Sequence, residues 1–200
     1  MKFTIITGPG RCGTSALTQL FINSNLYRVD AVGIDPTMKA GLESRGSILI
    51  NSLIYTSNLM EFVKDHAYHE ILNLYSKFDL VKSPLFFYTN SYTYWQEVLK
   101  HCGGIQVILL TRDNLDDIFT SAKNIGRKDW DSFTPTSLQA QWDLNVQTLE
   151  NNNIPFITME YPQFSKDPNY LFNNLKKLEL GNWDPTLEEI TTLSKKTFTT

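Results

Sequence analysis

The segment Gly8-Pro9-Gly10-Arg11-Cys12-Gly13-Thr14-Ser15 gathers three glycines, one cation and two hydroxyls. Glycines let backbone N–H groups converge on an anion without obstruction by side chains. The apolar run Phe3-Thr4-Ile5-Ile6 precedes this segment, and Leu17, Leu20 and Phe21 follow it at helical spacing. A strand–turn–helix unit of this kind aims unpaired amides and the positive end of a helix dipole at its turn. A purely structural turn needs neither a cation nor two hydroxyls. The chemistry expected here is therefore binding of a phosphate-type anion. Gly8 and Gly13 fit the spacing G-x-x-x-x-G, but Thr14 stands where an ATP-binding loop carries lysine. Either the loop is degenerate or its ligand carries a shorter phosphate chain.

A second candidate site follows the apolar run Val107-Ile108-Leu109-Leu110. There Arg112 leads through Asp113-Asn114 into a helical stretch containing Thr120 and Ser121. An arginine leaving a strand and a hydroxyl one or two turns along a helix can hold one phosphate from two sides, the guanidinium fork matching its oxygens. The alternative is a surface pair of Arg112 with Asp116 or Asp117. His66 and His69, three apart on a helical pattern, lack further metal ligands nearby. A helix-surface or core pair is the simpler account.

These groups must be positioned by alternating short apolar runs and helical segments. The runs are Phe3–Thr7, Asp79–Lys82, Gln106–Thr111 and Pro155–Glu160, with a more polar fifth over 27–33. Helical spacing recurs from Leu59 through Tyr75 and near 92–101, 114–126, 135–152, 167–178 and 186–196. This alternation predicts an α/β fold: three layers, α/β/α, around a central, mostly parallel five-stranded sheet in one domain over residues 1–200. Ligands of such sheets bind beyond the carboxyl ends of the strands, which selects residues 11–15, the 33–46 loop, Lys82-Ser83, Arg112 and Glu160. The stretch Asp35–Ser47 reads as the least regular and as a substrate loop. The aromatic run Phe86-Phe87-Tyr88, with Tyr92, Tyr94 and Trp95, is a candidate acceptor-pocket lining beside its simpler reading as core.

Eighteen basic residues against 21 acidic ones give a formal charge of −3, which argues against a general nucleic-acid binder. Two cysteines make neither a disulfide framework nor a metal set, and no apolar run is long enough to span a membrane. A cytoplasmic location is the default expectation.

The run Gly10-Arg11-Cys12-Gly13-Thr14-Ser15 resembles the 5′-phosphosulfate loop of sulfotransferases that use 3′-phosphoadenosine 5′-phosphosulfate (PAPS), a family with the P-loop NTPase-like fold. Those loops typically read Lys/Arg-Ser-Gly-Thr-Thr/Ser, so Cys12 replaces a serine. The stretch from Val107 to Ser121 resembles the family's 3′-phosphate motif, with Arg112 as its arginine and Asn114 in place of the common proline. Ungapped counting puts Thr120 at the motif's serine, with Ser121 one residue late. Phe156–Tyr161 followed by Asp167-Pro168 resembles the family's strand–Tyr-Glu–spacer–Asp-Pro segment, with Glu160 and Tyr161 in reversed order.

The resemblance implies PAPS as co-substrate, adenosine 3′,5′-bisphosphate as product, no bound metal, and a small-molecule or saccharide acceptor. It assigns donor binding to Gly10, Arg11, Cys12, Gly13, Thr14, Ser15, Arg112 and Thr120 or Ser121. Arg11 would also stabilise the transferring group. Lys82, in Lys82-Ser83-Pro84, resembles a Lys-x-Pro segment of several branches and would contact that group or the acceptor. Asp35 falls where carboxylate-type members place their general base, and Glu43 is a second choice. The alternatives are a P-loop nucleotide or small-molecule kinase and a non-catalytic nucleotide-binding relative.

Overall fold

The computed structural model describes residues 1–30, 44–56, 61–124, 133–181 and 183–198. Its strands are β1 (Phe3–Thr7), β2 (Val29–Asp30), β3 (Leu80–Lys82), β4 (Ile105–Arg112) and β5 (Phe156–Tyr161). They form one sheet in the order β2-β3-β1-β4-β5, and every pairing is parallel. The expected sheet is thus present, and among the described residues it is wholly rather than mostly parallel.

The helices are α1 (Thr14–Ser24), α2 (Arg45–Thr56), α3 (Glu61–Lys77), α4 (Leu85–Thr89), α5 (Tyr92–Leu99), α6 (Leu115–Asn124), α7 (Pro135–Asn151), α8 (Gln163–Lys166), α9 (Pro168–Leu175) and α10 (Leu187–Phe198). They cover both faces of the sheet, giving three layers. Phe3, Ile5, Val107 and Leu109 point into one apolar cluster with residues of α2 to α7. Ile6, Ile108, Leu110, Ile157 and Met159 point into the other, with residues of α1, α8, α9 and α10. The period-2 alternation of each strand thus feeds two cores, which is why the central strands read as unbroken apolar runs.

Local chemistry sets several boundaries. Asp167 caps α9 by accepting from the amides of Asn169 and Tyr170, with Pro168 in the first turn, as the Asp-Pro pair predicts. Asn114, which stands where the resembled motif has proline, starts α6: its Oδ1 accepts from the Asp116 amide at 3.0 Å. Thr134 and Ser137 form a reciprocal cap on α7.

Two expectations need correction. The stretch Asp35–Ser47 is not irregular throughout: Arg45-Gly46-Ser47 begin α2, although 31–43 lie outside the described residues. The aromatic run does not form an acceptor pocket as a whole. Phe86, Phe87, Tyr92 and Trp95 have no exposed surface and pack in the core, with Phe86 stacked on Tyr92 at 5.6 Å. Each buries a large ring, which outweighs any role at a surface. Among the described residues no helix is long and apolar enough to cross a membrane.

Candidate functional site

β1 occupies the middle of the sheet. Its connection α1 packs on one face, whereas α6, which follows β4, packs on the other. The carboxyl ends of β1 and β4 therefore open a crevice between diverging connections, the usual ligand position in such sheets.

The turn after β1 has a backbone only certain residues tolerate. Gly8 has φ 153°, and a Cβ there would lie 2.4 Å from the carbonyl oxygen of Leu110 on β4. Gly13 has φ 83°, and its Cβ would meet the Tyr161 ring at 2.5 Å and Phe164 at 2.9 Å. Arg11 is left-handed without being glycine, at φ 71°. That conformation is costly for a long side chain and is found where a site requires it. α1 starts directly after Gly13 with no side-chain cap and no acidic residue in its first turn. Its opening amides and positive dipole end are left for an anion.

Arg11, Gly13, Thr14, Ser15, Ala16, Arg112, Ser121 and Tyr161 together line a cleft of about 300 Å3. Arg11 donates from Nε to Ser121 Oγ at 2.9 Å, and Arg112 donates from Nη1 to the Arg11 carbonyl at 3.1 Å. Arg112 Nη2 lies 3.5 Å from Asp117 Oδ2, and its guanidinium sits 5.5 Å from the centre of the Tyr161 ring. The surface pair weighed for Arg112 is thus present with Asp117, yet the same guanidinium lines the cleft. Arg112 Nε is buried without a hydrogen-bond partner among the described residues. A buried donor left unpaired costs about 1–3 kcal/mol, so Arg112 is held here at the expense of some stability.

The predicted residues divide clearly. Arg11, Gly13, Thr14, Ser15, Arg112 and Ser121 meet in the cleft. Thr120 does not: it is exposed on α6, whereas Ser121 lies one turn beyond Asp117 on the cleft face. Gly10 belongs to the turn without lining the cleft. Cys12 is fully buried beneath the turn, and desolvation pushes its thiol up to about 12 against the opposing pull of Lys82 and Arg112. It is a packed, neutral thiol. Lys82 is 2% exposed and reaches under the turn from β3, donating to Ser15 Oγ at 3.2 Å. It supports the loop from below rather than lining the cleft, and supplies an ammonium near the position where the loop lacks its own lysine.

Asp35 and Glu43 lie outside the described residues. The two residues flanking that segment are buried and joined: Ser44 donates its hydroxyl to the Asp30 carboxylate at the end of β2. Sequence reasoning placed Asp30 within a strand and gave it no role. Asp30 closes the short, polar β2, and the Ser44 amide bonds the Lys82 carbonyl at 3.0 Å. Tyr161 was also missed as a wall of the cleft, because reversed order with Glu160 left it without a role. Glu160 is half-buried at the end of β5 and does not line the cleft. His66 and His69 are exposed on α3, and among the described residues no three His, Cys, Asp or Glu side chains gather as a metal set.

Among protein-family models, curated proteins and solved structures, none matches this chain.

Proposed function

We propose that the chain is a P-loop-type sulfotransferase that binds PAPS in this cleft and transfers its sulfuryl group to a hydroxyl or amine acceptor. The observation that carries this reading is the convergence of Arg11, Arg112, Ser121 and the uncapped start of α1 on one cleft. The first turn suits the 5′-phosphosulfate, and Arg112 with Ser121 suits the 3′-phosphate. In the reaction the acceptor oxygen or nitrogen forms a bond to sulfur while the bond from sulfur to the 5′-phosphate oxygen breaks. That oxygen leaves with its electron pair, and the acceptor's proton passes to a base. Arg11 and the α1 amides stabilise the charge that develops on the leaving phosphate; one such donor is worth roughly 3 kcal/mol of barrier. Lys82 holds Ser15 in place beneath them. Asp35 and Glu43 are the carboxylates proposed for the base, on the segment between Asp30 and Ser44.

Thermal unfolding tests the reading. A specific ligand at 100 times its Kd stabilises by about 2.7 kcal/mol, raising the midpoint of a chain this size by about 5–10 °C. Adenosine 3′,5′-bisphosphate is expected to give that shift without magnesium. A shift with Mg·ATP and none with the bisphosphate makes the protein a kinase instead. A shift with the bisphosphate, but no movement of labelled sulfate from PAPS to hydroxyl or amine acceptors, makes it a binding module.

A further inference from the structure

Asp117 and Ser121 are four residues apart on α6, so both side chains project from one face of the helix. Both engage an arginine of the cleft: Ser121 accepts from Arg11, and Asp117 pairs with Arg112. Arg112 is in turn tied to the Arg11 carbonyl. The result is a closed ring, Arg11–Ser121–Asp117–Arg112–Arg11, running through one turn of α6.

The two contacts differ in kind. A hydroxyl can keep its place beside a bound phosphate, since it donates as well as accepts. A carboxylate cannot, because it is an anion occupying the nitrogen that a phosphate needs. At 3.5 Å the Asp117 contact is an ion pair longer than a well-formed hydrogen bond. Asp117 is 48% exposed at its side chain, whereas Arg112 is 18% exposed. The carboxylate can swing into water while the guanidinium stays.

We infer that Asp117 is the cleft's own counter-anion, a carboxylate that neutralises Arg112 and must be displaced before a phosphate can take that guanidinium. A dianion brings a second charge to a site that also faces Arg11 and the α1 dipole. The inference builds on the proposed nucleotide reading, but inorganic pyrophosphate probes it separately.

The test is calorimetric titration of the wild type, Asp117→Asn and Asp116→Asn with adenosine 3′,5′-bisphosphate, adenosine 5′-monophosphate and pyrophosphate. Asp116 is exposed on the same helix and carries the same charge, so its variant measures the general field alone. Removing this half-exposed competing carboxylate is expected to tighten the bisphosphate about threefold to fivefold in Asp117→Asn. The effect on the 5′-monophosphate, which lacks the 3′-phosphate, is expected to be smaller, and Asp116→Asn is expected to do little. Unchanged or weaker bisphosphate binding by Asp117→Asn overturns the inference and makes Asp117 a support for Arg112. Equal tightening in both variants overturns it as well. If no protein binds the bisphosphate, the nucleotide reading falls. Pyrophosphate then decides alone: tightening confined to Asp117→Asn sustains the counter-anion, and any other result removes it.

Discussion

Replacing Arg112 with alanine separates a phosphate-binding arginine from a structural one. Its Nη1 donates to the Arg11 carbonyl at 3.1 Å and its Nη2 faces Asp117 at 3.5 Å. A bound 3′-phosphate gains charge-assisted hydrogen bonds worth about 1.5–3 kcal/mol, while the displaced pair with Asp117, whose side chain is 48% exposed, was worth at most about 1 kcal/mol. The difference is about 0.5–3 kcal/mol, or ~2- to 150-fold in Kd. Arg112→Ala is therefore expected to weaken adenosine 3′,5′-bisphosphate by that factor in a calorimetric titration. Adenosine 5′-monophosphate, held at the first turn, is expected to change by only about twofold, the size of a perturbation away from the contact. Arg112→Lys keeps the charge but loses the fork, and should fall between. The loss of the bond to the Arg11 carbonyl is the complication, since it loosens a left-handed turn that both ligands use. Equal losses for both ligands mean that Arg112 only braces the turn, and the assignment of the 3′-phosphate to it is then refuted.

Two further outcomes follow from the geometry. Gly13→Ala must accept a left-handed residue and push the Tyr161 and Phe164 rings aside, so urea unfolding is expected to show a loss of about 2–4 kcal/mol; a loss under about 0.5 kcal/mol shows that the turn relaxes freely. Burial pushes the Cys12 thiol up from 9.0 to about 12 and also raises the phenols of Tyr27 and Tyr92, so the fold favours their neutral forms. The unfolded chain ionises these groups first. Their contribution is intact below about pH 9 and is lost as pH climbs towards 12. A urea midpoint that stays flat to about pH 11 refutes this.

What the sequence made legible depended on whether polar residues stood where the helical or strand template wants them. β1 and β4 were plain because each is an apolar run ended by a turn or an arginine, and the central position of β1 buries both its faces. α2 was missed because it inverts the amphipathic pattern: Ser44, just before it, and Ser47 and Asn51 within it are all fully buried, whereas Leu49 and Tyr55 are exposed. Asn51 Oδ1 receives the Ser91 hydroxyl and the Trp95 indole, so this polar stripe is a buried network that hydropathy cannot recognise. Counting from Arg112 favoured Thr120 by one residue. The helix face decides for Ser121, because only Ser121 shares a side of α6 with Asp117. The pairing of Lys82 with Ser15 was hidden because it joins the end of β3 to the first turn of α1, 67 residues away in sequence.

Arg112 and Tyr161 are register partners, the last rung of the β4–β5 ladder, and both side chains leave the sheet on the face that carries α1. Tyr161 also fills the space against which Gly13 is pressed. A shift of one residue in that rung would send the guanidinium and the ring to opposite sides of the sheet while every loop residue remained in place. The width and charge of the cleft are in this sense a property of strand alignment, fixed below the loops that line it.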